Sequence, residues 1–168
     1  MITAGPAVLR RARAADNAQI AAIWNPEATG NFATTETRPR SPAAQRAWLA
    51  RHTDDYPVVV AADGDEVLAF GALAPYRRSP AYRRTVEDSV YVRTDQRGRG
   101  LGGLVLERLV ELARARGHHS VLARVTAVNT ASLRLHEGHG FQRVGLEREV
   151  ACKLGRWLDV VVLQRPLG

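Results

Sequence analysis

The 168-residue chain has one cysteine, Cys152, and one lysine, Lys153, among its 24 basic residues. A lone cysteine excludes an internal disulfide framework, and a cytoplasmic location is the expectation. No apolar run reaches the length that crosses a bilayer as a helix, so no membrane role is expected. Met1 to Ala7 lack the charged-then-apolar pattern of a secretory leader. No repeat, low-complexity tract or linker divides the sequence, and one domain over residues 1–168 is expected. Hydrophobic content of 45% and charged content of 24% suit a globular protein long enough to bury a core. The formal charge of +7 comes from arginines scattered from Arg10 to Arg165 without a block. That pattern fits solvated guanidiniums better than a nucleic-acid-binding stripe. A local surplus at Arg93, Arg97 and Arg99 suits a phosphate-bearing ligand.

The patterning alternates strands and helices. Val8 to Arg13 reads as a strand. Asp16 to Gln19 has capping-box spacing, and Ile20, Ile23 and Trp24 follow on one helical face. Pro26 and Gly30 are expected to end that helix, with a polar loop from Asn31 to Arg40. Ser41-Pro42 is a helix start, a capping hydroxyl followed by proline at the first position, and the helix is expected to reach Arg51. Val58 to Ala61 and Val67 to Ala74 flank the turn Asp63-Gly64 as a hairpin. Pro75 to Arg84 is a loop and Thr85 to Val92 a strand. Leu101, Leu104, Val105, Leu109 and Leu112 form an apolar helical face ended by Gly117. Val121 to Thr126 is a strand, and Asn129 caps a short helix ending near Gly140. Phe141 to Val150 and Trp157 to Leu163 are the last strands. The fold class is α/β with a mixed sheet. His118 and His119 read as surface, Cys152 as inert, and Trp157 with Leu158 and Val160 to Leu163 as core and sheet edge.

The most informative stretch is Gln96-Arg97-Gly98-Arg99-Gly100-Leu101-Gly102-Gly103, between a strand and a helix. Glycines let a ligand approach the backbone, and unpaired N–H groups at a helix start attract an anion. The spacing misses the dinucleotide fingerprint, and the loop lacks the Lys-Ser/Thr ending of a nucleotide-triphosphate loop. His136-Glu137-Gly138-His139 is one residue too short for a zinc motif, and no metal is expected. The loop after a strand ending in Val92 resembles the acetyl-CoA loop of the GCN5-related N-acetyltransferase (GNAT) superfamily. Asn129-Thr130-Ala131-Ser132-Leu133-Arg134-Leu135-His136-Glu137-Gly138-His139-Gly140-Phe141 is similar to that superfamily's N-x-A-S-x-x-L-x-E-x-x-G-F segment. Tyr56-Pro57-Val58, Ala81 to Val92, Leu135-His136-Glu137 and Gly155-Arg156-Trp157-Leu158-Asp159 resemble the phosphinothricin and methionine sulfoximine acetyltransferases over nearly the whole chain. Pro26 and Gly30 depart from that pattern, where relatives continue helically into the substrate loop.

The resemblance implies a GNAT fold, a mostly antiparallel central sheet flanked by helices, and acetyl transfer from acetyl-CoA to the α-amino group of a small amino-acid analogue by direct attack. An amine is mostly protonated at neutral pH, so a base is needed. Thr85, Glu87, Ser89 and Tyr91 share a strand face, and the resemblance makes Glu87 that base and His136 the second proton-handling group. It also implies an N–H donor near Val92 for the carbonyl oxygen and a bulge opening the strand toward Val121–Thr126. The expected cofactor contacts are Val90, Tyr91, Val92, Arg97, Gly98, Arg99, Gly100, Leu101, Gly102, Gly103, Asn129 and Ser132. Phe32, Thr34, Tyr76, Arg77, Tyr82 and Arg84 are the expected substrate contacts, and a homodimer is implied. The alternatives are another amine acceptor (a polyamine, an aminoglycoside or a protein N-terminus) or a non-catalytic Arg-rich nucleic-acid-binding protein. No acidic cluster that would suit a polycation stands in the substrate loop.

Overall fold

The computed structural model describes residues 7–168. Met1 to Pro6, most of the segment read for a leader, lie outside the described residues. The order is β1 (Val8–Arg11), α1 (Asn17–Gly30), α2 (Pro42–Ala50), β2 (Val58–Asp63), β3 (Glu66–Pro75), β4 (Thr85–Val92), α3 (Leu101–Ala115), β5 (Ser120–Thr126), α4 (Thr130–Gly138), β6 (Gln142–Lys153) and β7 (Arg156–Pro166). One seven-stranded sheet runs β1-β2-β3-β4-β5-β7-β6. Only β4–β5 is a parallel pair, and the other neighbours are antiparallel.

Helices cover both faces of the sheet, and this explains the unbroken apolar runs of β2 and β3. On one face Val105, Leu106, Leu109 and Val110 of α3 pack with Val59, Leu73, Val86 and Val121. On the other, Ile20, Ile23 and Trp24 of α1 pack with Val58, Val60 and Phe70, and Trp48 of α2 leans on the same cluster. Gly71 is where α3 comes closest. A Cβ there would sit 2.6 Å from Val105 and 2.8 Å from Leu109.

Several expectations are corrected. β1 ends at Arg11, and β6 runs on to Lys153. Asp16 stands at the N-cap of α1, but its side chain makes no capping bond to the helix. Its carboxylate accepts from Arg10 at 2.7 and 2.9 Å and from the Arg13 N–H at 2.7 Å, while Gln19 reaches across to Asp65 and Val67 of the β2–β3 hairpin. Pro26 lies inside α1 rather than at its end, because the buried face continues past it through Glu27 and Ala28. His118 is buried, its Nε2 2.9 Å from the Asp55 carbonyl and its ring beside Tyr56. Trp157 is 61% exposed because it sits beside the turn of the β6–β7 hairpin, paired with Cys152, not in the core. Ser41 does cap α2, accepting from Ala44 N–H at 3.2 Å.

Candidate active site

The central strands part company at their C-terminal ends. β4 pairs with β5 only where Thr85, Val86 and Glu87 face Ser120, Val121 and Leu122. Beyond that the two strands diverge, while β5 stays paired with β7 on its other edge from Ser120 to Thr126. No bulge in β4 is needed, since its register with β3 is unshifted from Val86 to Val92. Hydrogen bonds Tyr76 N–H to Thr85 O and Arg93 N–H to Leu68 O set the alternation along this pair. Odd-numbered residues of β4 therefore bond β3, and the N–H groups of Val90 and Val92 turn into the opening. A cavity of about 650 Å³ lies on one side of the opening and one of about 400 Å³ on the other. They share Ala33, Asp88, Ser89, Tyr91 and Arg124 as common wall.

The larger cavity is built on main chain. Gly98 and Gly100 hold φ +77°, a conformation side chains resist. The first helical bond of α3 is Leu104 N–H to Gly100 O, so the N–H groups of Leu101, Gly102 and Gly103 have no intrahelical partner. Gly102 and Gly103 sit close to α4, where added Cβ atoms would lie 3.3 Å from Leu135 and 2.9 Å from His139. Arg97 reaches back to Glu27 at 2.6 Å and to the Val92 carbonyl at 3.4 Å. Arg99 is exposed and bonds Gln96. Leu101 is buried, leaving its main chain to face the cavity. Free amides at a helix start beside two guanidiniums form a cradle for a diphosphate.

α4 closes the same cavity. Asn129 Oδ1 accepts from Ser132 N–H at 3.2 Å, capping the helix, and its Nδ2 donates to Ala33 O at 3.3 Å, tying the cap to the loop after α1. One turn on, His136 is buried between two acceptors. Its Nδ1 lies 2.7 Å from Ser132 O and its Nε2 3.0 Å from Asp88 Oδ2. Burial opposes a charge on the ring, but the Asp88 bond, its charge and the Ser132 carbonyl outweigh it, so the His136 pKa is held above its usual value. Asp88 Oδ1 is also buried and has no hydrogen-bond partner among the described residues. Nothing in the sequence flagged Asp88, because a residue inside a strand says nothing about a helix 48 positions away.

The smaller cavity is built on side chains. Glu87, Ser89 and Tyr91 line it from β4, as their shared face predicted. Burial raises the Glu87 pKa, aided by Asp88 and Glu147 and opposed by Arg124. Tyr91 is pushed up to about 12, chiefly by burial, and remains a phenol that Thr34 can hydrogen-bond. Of the expected substrate residues, Thr34 lines this cavity and Phe32 the larger one. Tyr76, Arg77, Tyr82 and Arg84 are brought to neither. Tyr76, Arg77 and Tyr82 stack on one another outside, and Arg84 binds the Gly117 carbonyl at the end of α3. Among the residues missed are Trp24, Arg40, Trp48 and Arg124. Lys153, buried, fastens this side by donating to Glu27 O and Thr34 O at 2.9 and 2.8 Å.

A mixed sheet that splits beside a glycine loop defines an acyltransferase architecture, and residues 17–141 match the acetyltransferase (GNAT) family. The chain belongs to that family and is an N-acetyltransferase. It is similar to the L-methionine sulfoximine/L-methionine sulfone acetyltransferase of Pseudomonas paraeruginosa, 41% identical over 160 residues, 94% of this chain and 93% of the relative. It is also similar to the phosphinothricin N-acetyltransferase of Streptomyces coelicolor, 40% identical over 138 residues, 80% of this chain and 81% of the relative. Among solved structures, a Sinorhizobium meliloti phosphinothricin acetyltransferase in complex with acetyl-CoA superposes with a TM-score of 0.92 at 36% identity, covering 98% of this chain and 90% of that one.

Proposed function

We propose that this enzyme moves an acetyl group from acetyl-CoA to the α-amino group of a small amino-acid analogue of the methionine sulfoximine or phosphinothricin type, both substrates being held at once. The observation that carries this reading is the β4–β5 opening, which joins a cavity lined by free amides to one lined by Glu87. The glycine-loop amides, with Arg97 and Arg99, fit the diphosphate. The volume of about 650 Å³ extending from them to Asn129 and His136 fits the pantetheine arm.

Acetyl-CoA supplies an activated thioester carbonyl. Val92 N–H, aimed into the opening, stabilises negative charge on that carbonyl oxygen. Glu87 takes the proton from the amine, directly or through water. Its raised pKa makes it a better base than an ordinary carboxylate. The amide bond forms as the thioester C–S bond breaks, and coenzyme A leaves as a thiolate that takes up a proton; His136, held by Asp88 and the Ser132 carbonyl, is the proton-holding group on the wall of that cavity. A polyamine is disfavoured, because Glu36, Glu87 and Asp88 on the cavity wall are offset by Arg40 and Arg124.

The exposed side chains of Val144, Leu146, Val150, Leu154 and Trp157 on β6–β7 and their turn support a homodimer formed through that hairpin. Use of acetyl-CoA as donor supports a cytoplasmic location. The test is a thiol-release assay with L-methionine sulfoximine, L-phosphinothricin and spermidine, on wild type, Glu87→Ala and His136→Ala. Turnover of the amino-acid analogues, lost in Glu87→Ala, is the expected result. Preference for spermidine would overturn the substrate, and unchanged turnover in both variants would overturn the residue roles.

A further inference from the structure

Arg40 is a partly buried cation without a paired anion among the described residues. Its guanidinium carbon lies over the rings of both Trp24 and Trp48, 4.2 Å from each centroid. One edge donates to Gln45 Oε1 at 3.2 Å. Its backbone is pinned too, the N–H donating to Asn25 Oδ1 at 2.9 Å and the carbonyl accepting from Asn25 Nδ2 at 3.2 Å. Other half-covered arginines behave differently. Arg10 is paired with Asp16 and Arg165 with Glu107. Arg40 has no carboxylate in salt-bridge reach among the described residues. Glu36 stands on the same cavity wall but does not pair with it. Burial is the main reason its pKa is pulled down to about 10, with Arg51 adding to the fall.

The two indoles contact the guanidinium through its π surface, and Gln45 takes one donor. The remaining N–H groups belong to a residue that lines the smaller cavity alongside Ser89 and Tyr91. A pre-positioned guanidinium with unused donors, short of water and without a carboxylate, is a receptor for an oxygen-rich anionic or strongly polarised group. We propose that Arg40 is a specificity-determining residue that binds such a group of the acceptor, its carboxylate or the oxygens of its side chain, while the amine lies toward Glu87. This rests on the amino-acid reading above.

The test compares wild type, Arg40→Gln and Arg40→Lys on L-methionine sulfone, its carboxamide and L-methionine, with acetyl-CoA saturating. Arg40→Gln should lower kcat/KM for the sulfone about 10- to 100-fold, the range of a charge-assisted hydrogen bond, mostly through KM. Its kcat and its KM for acetyl-CoA should stay within about twofold. Arg40→Lys should recover only part, since an ammonium keeps the charge but not the fork or the stacking. The loss should vanish for the analogue lacking the bound group: for the carboxamide if Arg40 holds the carboxylate, for L-methionine if it holds the sulfone oxygens. An equal loss on all three compounds would overturn the inference and leave the substrate reading standing. If another amino acid proves the better acceptor, its acid and amide forms give the same comparison. A wild type that acetylates only amines lacking both groups would overturn both readings. A second readout needs no variant. Trp24 and Trp48 both contact Arg40, so in wild type with coenzyme A present, L-methionine sulfone should change tryptophan fluorescence saturably. The analogue without the bound group should do so only at about 10-fold or higher concentration. Matching titrations would contradict the proposal.

Discussion

The two cavities that meet at the β4–β5 opening are made of different material. The larger one presents peptide N–H groups, glycines and the start of α3, with side chains such as Arg97 as accessories. The smaller one presents Glu87, Arg124, Arg40 and a group of aromatic rings, drawn from α1, α2, three strands and the hairpin β6–β7. Main chain can grip a constant partner, because every amide is the same and only its direction must be arranged. Side chains discriminate, because each can be changed without moving the backbone. The contrast suggests a fixed donor on one side and a tuned acceptor on the other.

Substitutions that act on one cavity only will sharpen or break that contrast. Glu87→Gln should cut kcat/KM for the amine roughly 10²- to 10⁴-fold and leave acetyl-CoA affinity unchanged by calorimetry. A matching loss of cofactor binding would mean the cavities are not separable. Asp88→Ala touches the shared wall. It strips the buried His136 of its partner and should cost about 3–5 kcal/mol in urea unfolding, as breaking a buried pair does. The sign with pH is definite. His136 has a raised folded-state pKa, so its contribution is full below the ordinary histidine value and fades as pH rises through the raised one. Asp88→Asn should therefore flatten the decline of Tm on that alkaline side.

Gly100→Ala forces a side chain into φ +77°. It should cost about 1–2 kcal/mol and weaken acetyl-CoA binding, with KM for the amine unchanged at saturating donor. Arg124→Gln is the mildest. Arg124 opposes the rise in the Glu87 pKa, so without it the acidic limb of the kcat/KM–pH profile should move to higher pH. A limb that stays in place or moves down would remove Arg124 from the site.

The same contrast explains what was legible in the sequence. The larger cavity is local: one loop and one helix cap, Gln96 to Gly103 and Asn129 to His136, carry it, and both can be read as continuous words. Glu87 could be placed on an alternating strand face from the sequence, but its role as the base came from the resemblance. Asp88 was not, since its importance lies in an imidazole on α4. Arg40 was assigned to a polar loop, and only the packing of α1 against α2 brings Trp24 and Trp48 against it. The cluster Tyr76, Arg77 and Tyr82 had the expected chemistry in the expected neighbourhood, yet its members turn toward each other outside the cavity. Pro26 misled because a helix whose buried face continues can carry an internal proline.

Under the proposed function, donor and acceptor occupy their cavities together, meeting through the opening beside Val92. Initial rates measured while acetyl-CoA and L-methionine sulfoximine are both varied test it most directly. Double-reciprocal lines that intersect are the predicted pattern, the signature of a ternary complex. Parallel lines, the pattern of an acetylated enzyme formed before the amine binds, would contradict it.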